Sequence, residues 1–559
     1  MRMRQPLRRL VIGGVLGVVL GTLIAGAILV AARHHFRQVQ VPDQVVPLVE
    51  FPPAPPPPRW APPPRYRVAR AGDSFQVLDE MDRVVILRGL EVGAEDLEPP
   101  FRPVPFGDLG PFEQWDAWGF NGIRLLVPWE ALEPEPRRFN RDHLEYLRWF
   151  LDQAWRFRMA VVLVPYQDRV SRCLGGVGAP AWTHRPGVVP EEMLAADCRA
   201  VDPGGIRQAA RRWRWWTDFT EARWTPDDLS LQDHLIDTWQ KLAEVFYNHP
   251  ALLGFETLGG IPCPSGWQRW LGPAEQPCGT VLADFQRRFA QAIRNVDRDA
   301  LIFLNLPDGE SPTDPEGPSL DRPDLEGIAL AAVAPDRPDL RRPDSSPWRR
   351  SECRLDAFLE ATRELAEERL QGPRVLVGYG TSPGRPGAIQ GLFHQAVDIE
   401  DAGASAFVGT PLLGRPSGSS VRPRCLAAAL VRPFPVRVAG TDVRWSFDRS
   451  YDEGGDRDRH HGGEEVRNTD TFTLAFRQGS STADTLVFIP RFSVFRDDDS
   501  TEAPEFTIDL SDGQWRWAPG DPDLLVWTTR PDVAEHRLVL RPWGGRRAPG
   551  TGVDPDCLP

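Results

Sequence analysis

The chain has 559 residues, 41% of them hydrophobic, with 20 tryptophans and a formal net charge of −13 at pH 7. That length exceeds one ordinary core, so a large domain, a smaller one and some unpacked sequence are expected. Six arginines and no acid fall within residues 1–41, and the remainder sets 59 basic against 78 acidic residues, which disfavours nucleic acid as a partner of the main body.

"MRMRQPLRRL" places four arginines ahead of a 23-residue apolar run at 10–32, long enough to span a bilayer as a helix. A cleaved signal peptide is the rival, since "VAA" before Arg33 resembles a cleavage site, but its apolar region would normally be about 7–15 residues. The arginine excess before the run predicts a cytoplasmic segment 1–9, a single-pass anchor 10–32, and the bulk of the chain outside the cytoplasm, periplasmic or at the cell surface. Gly13, Gly17 and Gly21 share one helix face, which suits a homodimer seam, although glycine is common in membrane spans. Residues 33–66 read as a proline-rich linker, with "FPPAPPPPRWAPPP" favouring extended polyproline geometry that holds a domain away from the membrane.

From 67 to about 425, short apolar runs alternate with amphipathic helical stretches. The runs are at 84–93, 122–129, 159–166, 251–260, 300–307, 327–335, 374–380 and 403–411. Continuous apolar strands are what a sheet buried on both faces requires, and eight strand–helix units predict an α/β fold, a (β/α)8 barrel with its functional groups at the C-terminal strand ends. Over 430–544, "TFTLAFRQ", "TLVFIPRF" and "HRLVLRPW" read as short strands of a C-terminal antiparallel β-sandwich, with 545–559 as a tail. His460 and His461 stand beside acids in a charged, glycine-rich loop. Adjacent histidines in a solvated loop usually bind no metal, so neither a metal site nor a cofactor is expected.

"GFNGIRLLVPWEALEPEPRRFNRDHLEYLRWFLDQA", "YQDRVSRCLGGVGAPAW" and "RPFPVRVAGTDVRWSFD", in that order, resemble glycoside hydrolase family 5, in particular its endoglycoceramidase branch. The resemblance covers roughly 68–543. It implies a retaining glycosidase, which needs two carboxyl groups about 5–5.5 Å apart, one to donate a proton and one to attack the anomeric carbon. The family's acid/base position, at the end of the fourth strand in "ALLGFETLGGIPCP", falls on Gly260. Its nucleophile, at the end of the seventh in "VLVGYG", falls on Gly378. The supporting pattern also departs. The third-strand histidine becomes Tyr166, the first-strand asparagine becomes Glu91, and "PDRPD" puts Asp336 and Pro338 at a histidine and a tyrosine. Glu256 shares side-chain parity with Gly260 but lies roughly 13 Å deeper, so it reads as a buried acid needing a partner such as Arg124. Glu130, Glu133, Asp168, Asp308 and Asp336 lie nearer the mouth, with Asp168 and Glu130 as fallback carboxylates.

A long connection at 167–230 carries "RRWRWWTDFTEARW". Its tryptophans, Trp213, Trp215, Trp216 and Trp224, suit sugar stacking or a membrane interface, and the plain alternative is that they pack the loop onto the barrel. Seven cysteines in an extracytoplasmic protein suggest disulfides, with Cys173–Cys198 and Cys263–Cys278 as candidate pairs. Together these features predict a membrane-anchored, endoglycoceramidase-like barrel that has lost hydrolysis. It would bind a glycan or glycolipid through Arg124, Trp129, Tyr166, Asp168, Trp215, Trp216 and Tyr379, or serve an envelope protein partner as a scaffold. The competing expectation is an active glycosidase with displaced carboxylates.

Overall fold

The computed structural model describes residues 65–93, 98–184, 206–221, 229–259, 278–306, 322–333, 349–379, 405–409, 430–448, 471–490 and 506–542, with a few single positions between them. The expected anchor 10–32, the proline-rich linker, Gly260, Cys263, Asp308, Asp336 and the His460–His461 pair lie outside the described residues. Among the described residues no helix is long and apolar enough to cross a membrane.

Three strands open the described chain: β1 (Arg67–Ala71), β2 (Ser74–Leu78) and β3 (Val84–Val85). Eight more follow: β4 (Arg88–Val92), β5 (Gly122–Pro128), β6 (Ala160–Tyr166), β7 (Leu252–Glu256), β8 (Leu301–Asn305), β9 (Ile328–Val333), β10 (Arg374–Tyr379) and β11 (Ser405–Val408). These eight close into a parallel barrel, one strand for each apolar run expected to build it. Both faces are buried, which explains the unbroken apolar runs. Leu126, Val162, Val164, Phe303, Val377 and Phe407 fill the interior. Ile123, Leu125, Leu163, Phe255, Ile302 and Leu330 face the surrounding helices.

Those helices form where the sequence repeats apolar residues every three to four positions and begins with a capping side chain. In Arg141–Arg156, Tyr146, Leu147, Phe150, Leu151 and Ala154 are buried, and Asn140 Oδ1 accepts the His143 N–H. In Leu231–Val245, Ser230 Oγ accepts the Asp233 N–H at 3.0 Å and donates to the Asp233 carboxylate at 2.6 Å, so cap and third residue support each other.

The remaining strands are β12 (Phe434–Val438), β13 (Gly440–Asp448), β14 (Thr471–Gln478), β15 (Thr485–Phe488), β16 (Phe506–Leu510), β17 (Gln514–Ala518), β18 (Asp521–Thr528) and β19 (Glu535–Pro542). They make two antiparallel sheets, of order β1-β2-β3-β12-β15-β18-β17 and β13-β14-β19-β16. The sequence reading counts residues 67–85 with the barrel, and here it needs correction, because β1, β2 and β3 pair in the sandwich. The run 84–93 is shared between domains: Val84 and Val85 pair with Val438 and Arg437, while Arg88–Val92 enters the barrel. The β1–β2 turn is fastened to the second sheet by Asp442 Oδ1, which accepts the Asp73 N–H at 2.8 Å.

The barrel and sandwich meet tightly at one glycine. Gly119 has φ +80°, and a Cβ there would lie 2.3 Å from the Phe488 ring. Arg158 bridges the same joint, paired with Asp521 at 2.6 Å and Asp116 at 3.5 Å. Gly520 has a similar φ of +76° but open space around it. Gly119→Ala is therefore expected to lower the thermal unfolding midpoint much more than Gly520→Ala. The first suffers overpacking of about 1–3 kcal/mol beyond the backbone strain that both share. Equal losses in calorimetry would mean that the Phe488 contact contributes nothing.

Candidate functional site

The C-terminal ends of the barrel strands surround one buried cation. Arg124 on β5 is side by side in register with Glu91 on β4, and its guanidinium bonds carboxylates on both sides. Its Nε donates to Glu256 Oε2 at 2.6 Å and its Nη2 to Glu256 Oε1, a two-pronged pair with β7. Its Nη1 donates to Glu91 Oε1. Asn305 on β8 donates its amide to Glu256, and Asn305 Oδ1 accepts the Leu258 N–H at 2.9 Å. The partner sought for Glu256 is thus Arg124, and the network ties four strands, β4, β5, β7 and β8, with the arginine reaching past β6.

Burial pushes the Glu91 carboxyl above the usual carboxylate range, with Arg124 offsetting only part of it. Burial would lower the Arg124 pKa, but Glu256 and Glu91 more than reverse that and hold the guanidinium charged.

Above this network the strand ends are small. Gly259, bridged to Tyr166, would carry a Cβ 3.2 Å from Arg124 Nη2. Gly378 sits at an irregularity in the β10–β11 pairing, between Leu376 and Tyr379, with φ +66°. Such bulges re-aim the following side chain. Tyr379 is accordingly buried on the outside of the barrel, lining a small space with Arg88, Phe434 and Trp445, and not at the mouth.

The other expected binding residues divide. Arg124, Tyr166 and Asp168 are at the mouth, with Asp168 half-exposed and 3.9 Å from Arg169. Trp129 is buried, donating its indole N–H to Glu133 Oε2 at 2.8 Å, edge-on to Trp182. Trp215 and Trp216 are buried as well, each stacked on Phe219 at 5.2 Å, and Trp215 Nε1 donates to Thr183 Oγ1. These rings pack the long loop onto the barrel and offer no face to a ligand. Glu130 is clasped by Arg172 at 2.9 Å. The expected disulfide Cys173–Cys198 is formed in the same loop. Glu133 is fully engaged by His234, Thr238, Trp129 and the Arg137 N–H, which together outweigh burial and lower its pKa.

Glu91 is the residue that the sequence reading undervalued, treating it only as a replacement for an asparagine. A lone acid within an apolar barrel strand is itself a signal, because a buried charge demands a partner. Removing one member of a buried ion pair strands the other, at about 3–5 kcal/mol, whereas an exposed pair contributes about 0–1 kcal/mol. Glu256→Gln is therefore expected to lower stability severely. Glu145→Gln, which breaks the exposed Arg141–Glu145 pair, should leave the denaturant midpoint nearly unchanged. Similar midpoints for the two variants would contradict the network's role.

No family model matches this chain. By sequence it is similar to a glucosylceramidase of Rhizopus delemar, 32% identical over 142 residues, covering 21% of this chain and 20% of that protein. It is also similar to endoglycoceramidase I of Rhodococcus hoagii, 30% identical over 113 residues, covering 20% and 22%. An ergosteryl-beta-glucosidase of Saccharomyces cerevisiae is 39% identical over 102 residues, 17% of this chain and 13% of that protein. The chain thus spans about a fifth or less of the length of these curated relatives. In structure it is similar to endo-glycoceramidase II from Rhodococcus sp., with a TM-score of 0.64, 19% identity, and coverage of 84% of this chain and 99% of that one. It is likewise similar to sterylglucosidase 1 of Cryptococcus neoformans, with a TM-score of 0.61, 14% identity, and coverage of 86% and 98%. The fold of this chain is that of those two enzymes, and its homologues and structural neighbours are glycoside hydrolases of the endoglycoceramidase and glucosylceramidase type.

Proposed function

We propose that this chain is a membrane-anchored, extracytoplasmic relative of endoglycoceramidases that binds a glycan or glycolipid headgroup at the barrel mouth without cleaving it. The observation that carries the reading is the end of β10. The resemblance leads one to expect a nucleophilic carboxylate there, and the chain has Gly378, with a backbone in the left-handed region. Double displacement needs a carboxylate free to bond the anomeric carbon. The nearest one among the described residues, Glu91, is buried and paired with Arg124. The glycolipid class is supported by the structural neighbour endo-glycoceramidase II, which is known in a complex with ganglioside GM3.

A hydrolase with displaced carboxylates is the second reading, favoured by the exposure of Asp168, whose ion pair with Arg169 spans 3.9 Å. Glu130 fits that role less well, since Arg172 holds both of its oxygens. Purified protein is expected to give no turnover of aryl β-glycosides or of GM3 above a buffer blank, and to co-sediment with GM3-containing vesicles. Turnover abolished by Asp168→Asn would establish the second reading in place of the first.

The apolar run 10–32 supplies the anchor in this proposal, with 33–559 beyond the membrane. Reporter fusions after Gln38 and at the C-terminus should both register an extracytoplasmic location. A cytoplasmic signal from either overturns the topology.

A further inference from the structure

β10 and β4 are not neighbours in the barrel, because β11 lies between them. Glu91 nevertheless reaches from β4 to the end of β10, where its carboxylate lies beside Gly378. The strand ends lie in ordinary contact here. A Cβ on Gly409, just past β11, would come within 3.4 Å of Gly378 O. A Cβ on Gly378 would lie 3.6 Å from Glu91 Oε1 and 3.9 Å from Oε2. The space beside the β10 end is therefore occupied, and its occupant is a carboxylate delivered by another strand. That carboxylate is also fixed from below by Arg124 Nη1, which donates to its Oε1.

We propose that Glu91 is the positioning residue of the barrel mouth. It supplies from β4 the anion at the end of β10, and by holding that place it excludes a second carboxylate at position 378. The barrel is then not one substitution away from presenting a nucleophile there, since Glu91 would first have to yield its position and its charge. This inference rests on the reading of the strand ends as the functional mouth. Its test uses neither hydrolysis nor glycan binding, so either idea can fail without the other.

The test compares charge at constant shape in the full chain. Gly378→Gln measures bulk and left-handed backbone strain, and Gly378→Glu adds a charge. Two carboxylates sharing a site cannot both ionise cheaply. At about pH 7.5, Gly378→Glu should unfold several degrees below Gly378→Gln when Glu91 is present, and the gap should vanish in the Glu91→Gln background. The gap should also narrow near about pH 4.5, where one carboxyl of the pair retains its proton. A gap unchanged by Glu91→Gln, or no gap at all, overturns the proposal. Should the position-378 variants not fold, Glu91→Ala tests the same assignment by vacating the space. Formate should then raise the unfolding midpoint of Glu91→Ala and leave the parent protein unmoved, and failure of formate to do so overturns the assignment.

Discussion

A guanidinium inside a barrel is the constraint on which the rest of this mouth depends. Arg124 is buried, so its planar fork must meet acceptors within the protein. Glu256 takes two of its nitrogens and Glu91 a third, and Asn305 then satisfies what remains of Glu256. Such networks add little net stability over a well-packed apolar core, because desolvation consumes most of the Coulombic gain. What they impose is order. Once Arg124 is present, β4, β5, β7 and β8 have to arrive in one register, or a charge is left stranded. A polar layer of this kind, lying directly under the strand ends, fixes the floor of whatever the mouth holds.

The same layer bears on chemistry. A retaining glycosidase keeps its two working carboxylates exposed to a sugar, one of them able to bond carbon. Here the two carboxylates below the strand ends are buried and spent on Arg124, while Gly259 and Gly378 occupy the rim. The shared fold of the neighbouring enzymes does not by itself carry their reaction over to this chain, since function belongs to side chains placed on a fold. The sandwich contributes rigidity at the opposite side. One of its sheets is completed by the first three strands of the described residues, so the barrel is entered and left through the same antiparallel layer, with Phe488 seated on Gly119 at the joint.

Much of this was legible from residues alone, and for identifiable reasons. Eight apolar runs mark eight strands because a strand buried on both faces is built mostly of apolar residues. Glu256 can be assigned a buried partner because strand parity and depth follow from a fixed rise per residue. The helices declare themselves through their period and their Asn140 and Ser230 caps. The disulfide between Cys173 and Cys198 is suggested by two cysteines in one loop.

Other features were decided only by tertiary structure. Val84 and Val85 look like the first barrel strand, yet they pair with β12, because strand pairing is settled by which edge is free in space and not by local pattern. Tyr379 follows a glycine at a bulge, and one irregular residue turns its ring from the mouth to the outer core. Trp215 and Trp216 have a composition suited to binding sugar, but Phe219 and Phe285 complete an aromatic stack that buries them. Glu91 comes beside Gly378 although β11 lies between their strands, a neighbourhood that only the closed barrel creates. The sequence determined which elements form, since period, parity and capping act over a few residues. The tertiary structure decided which side chains face the mouth, since that depends on contacts between residues far apart along the chain.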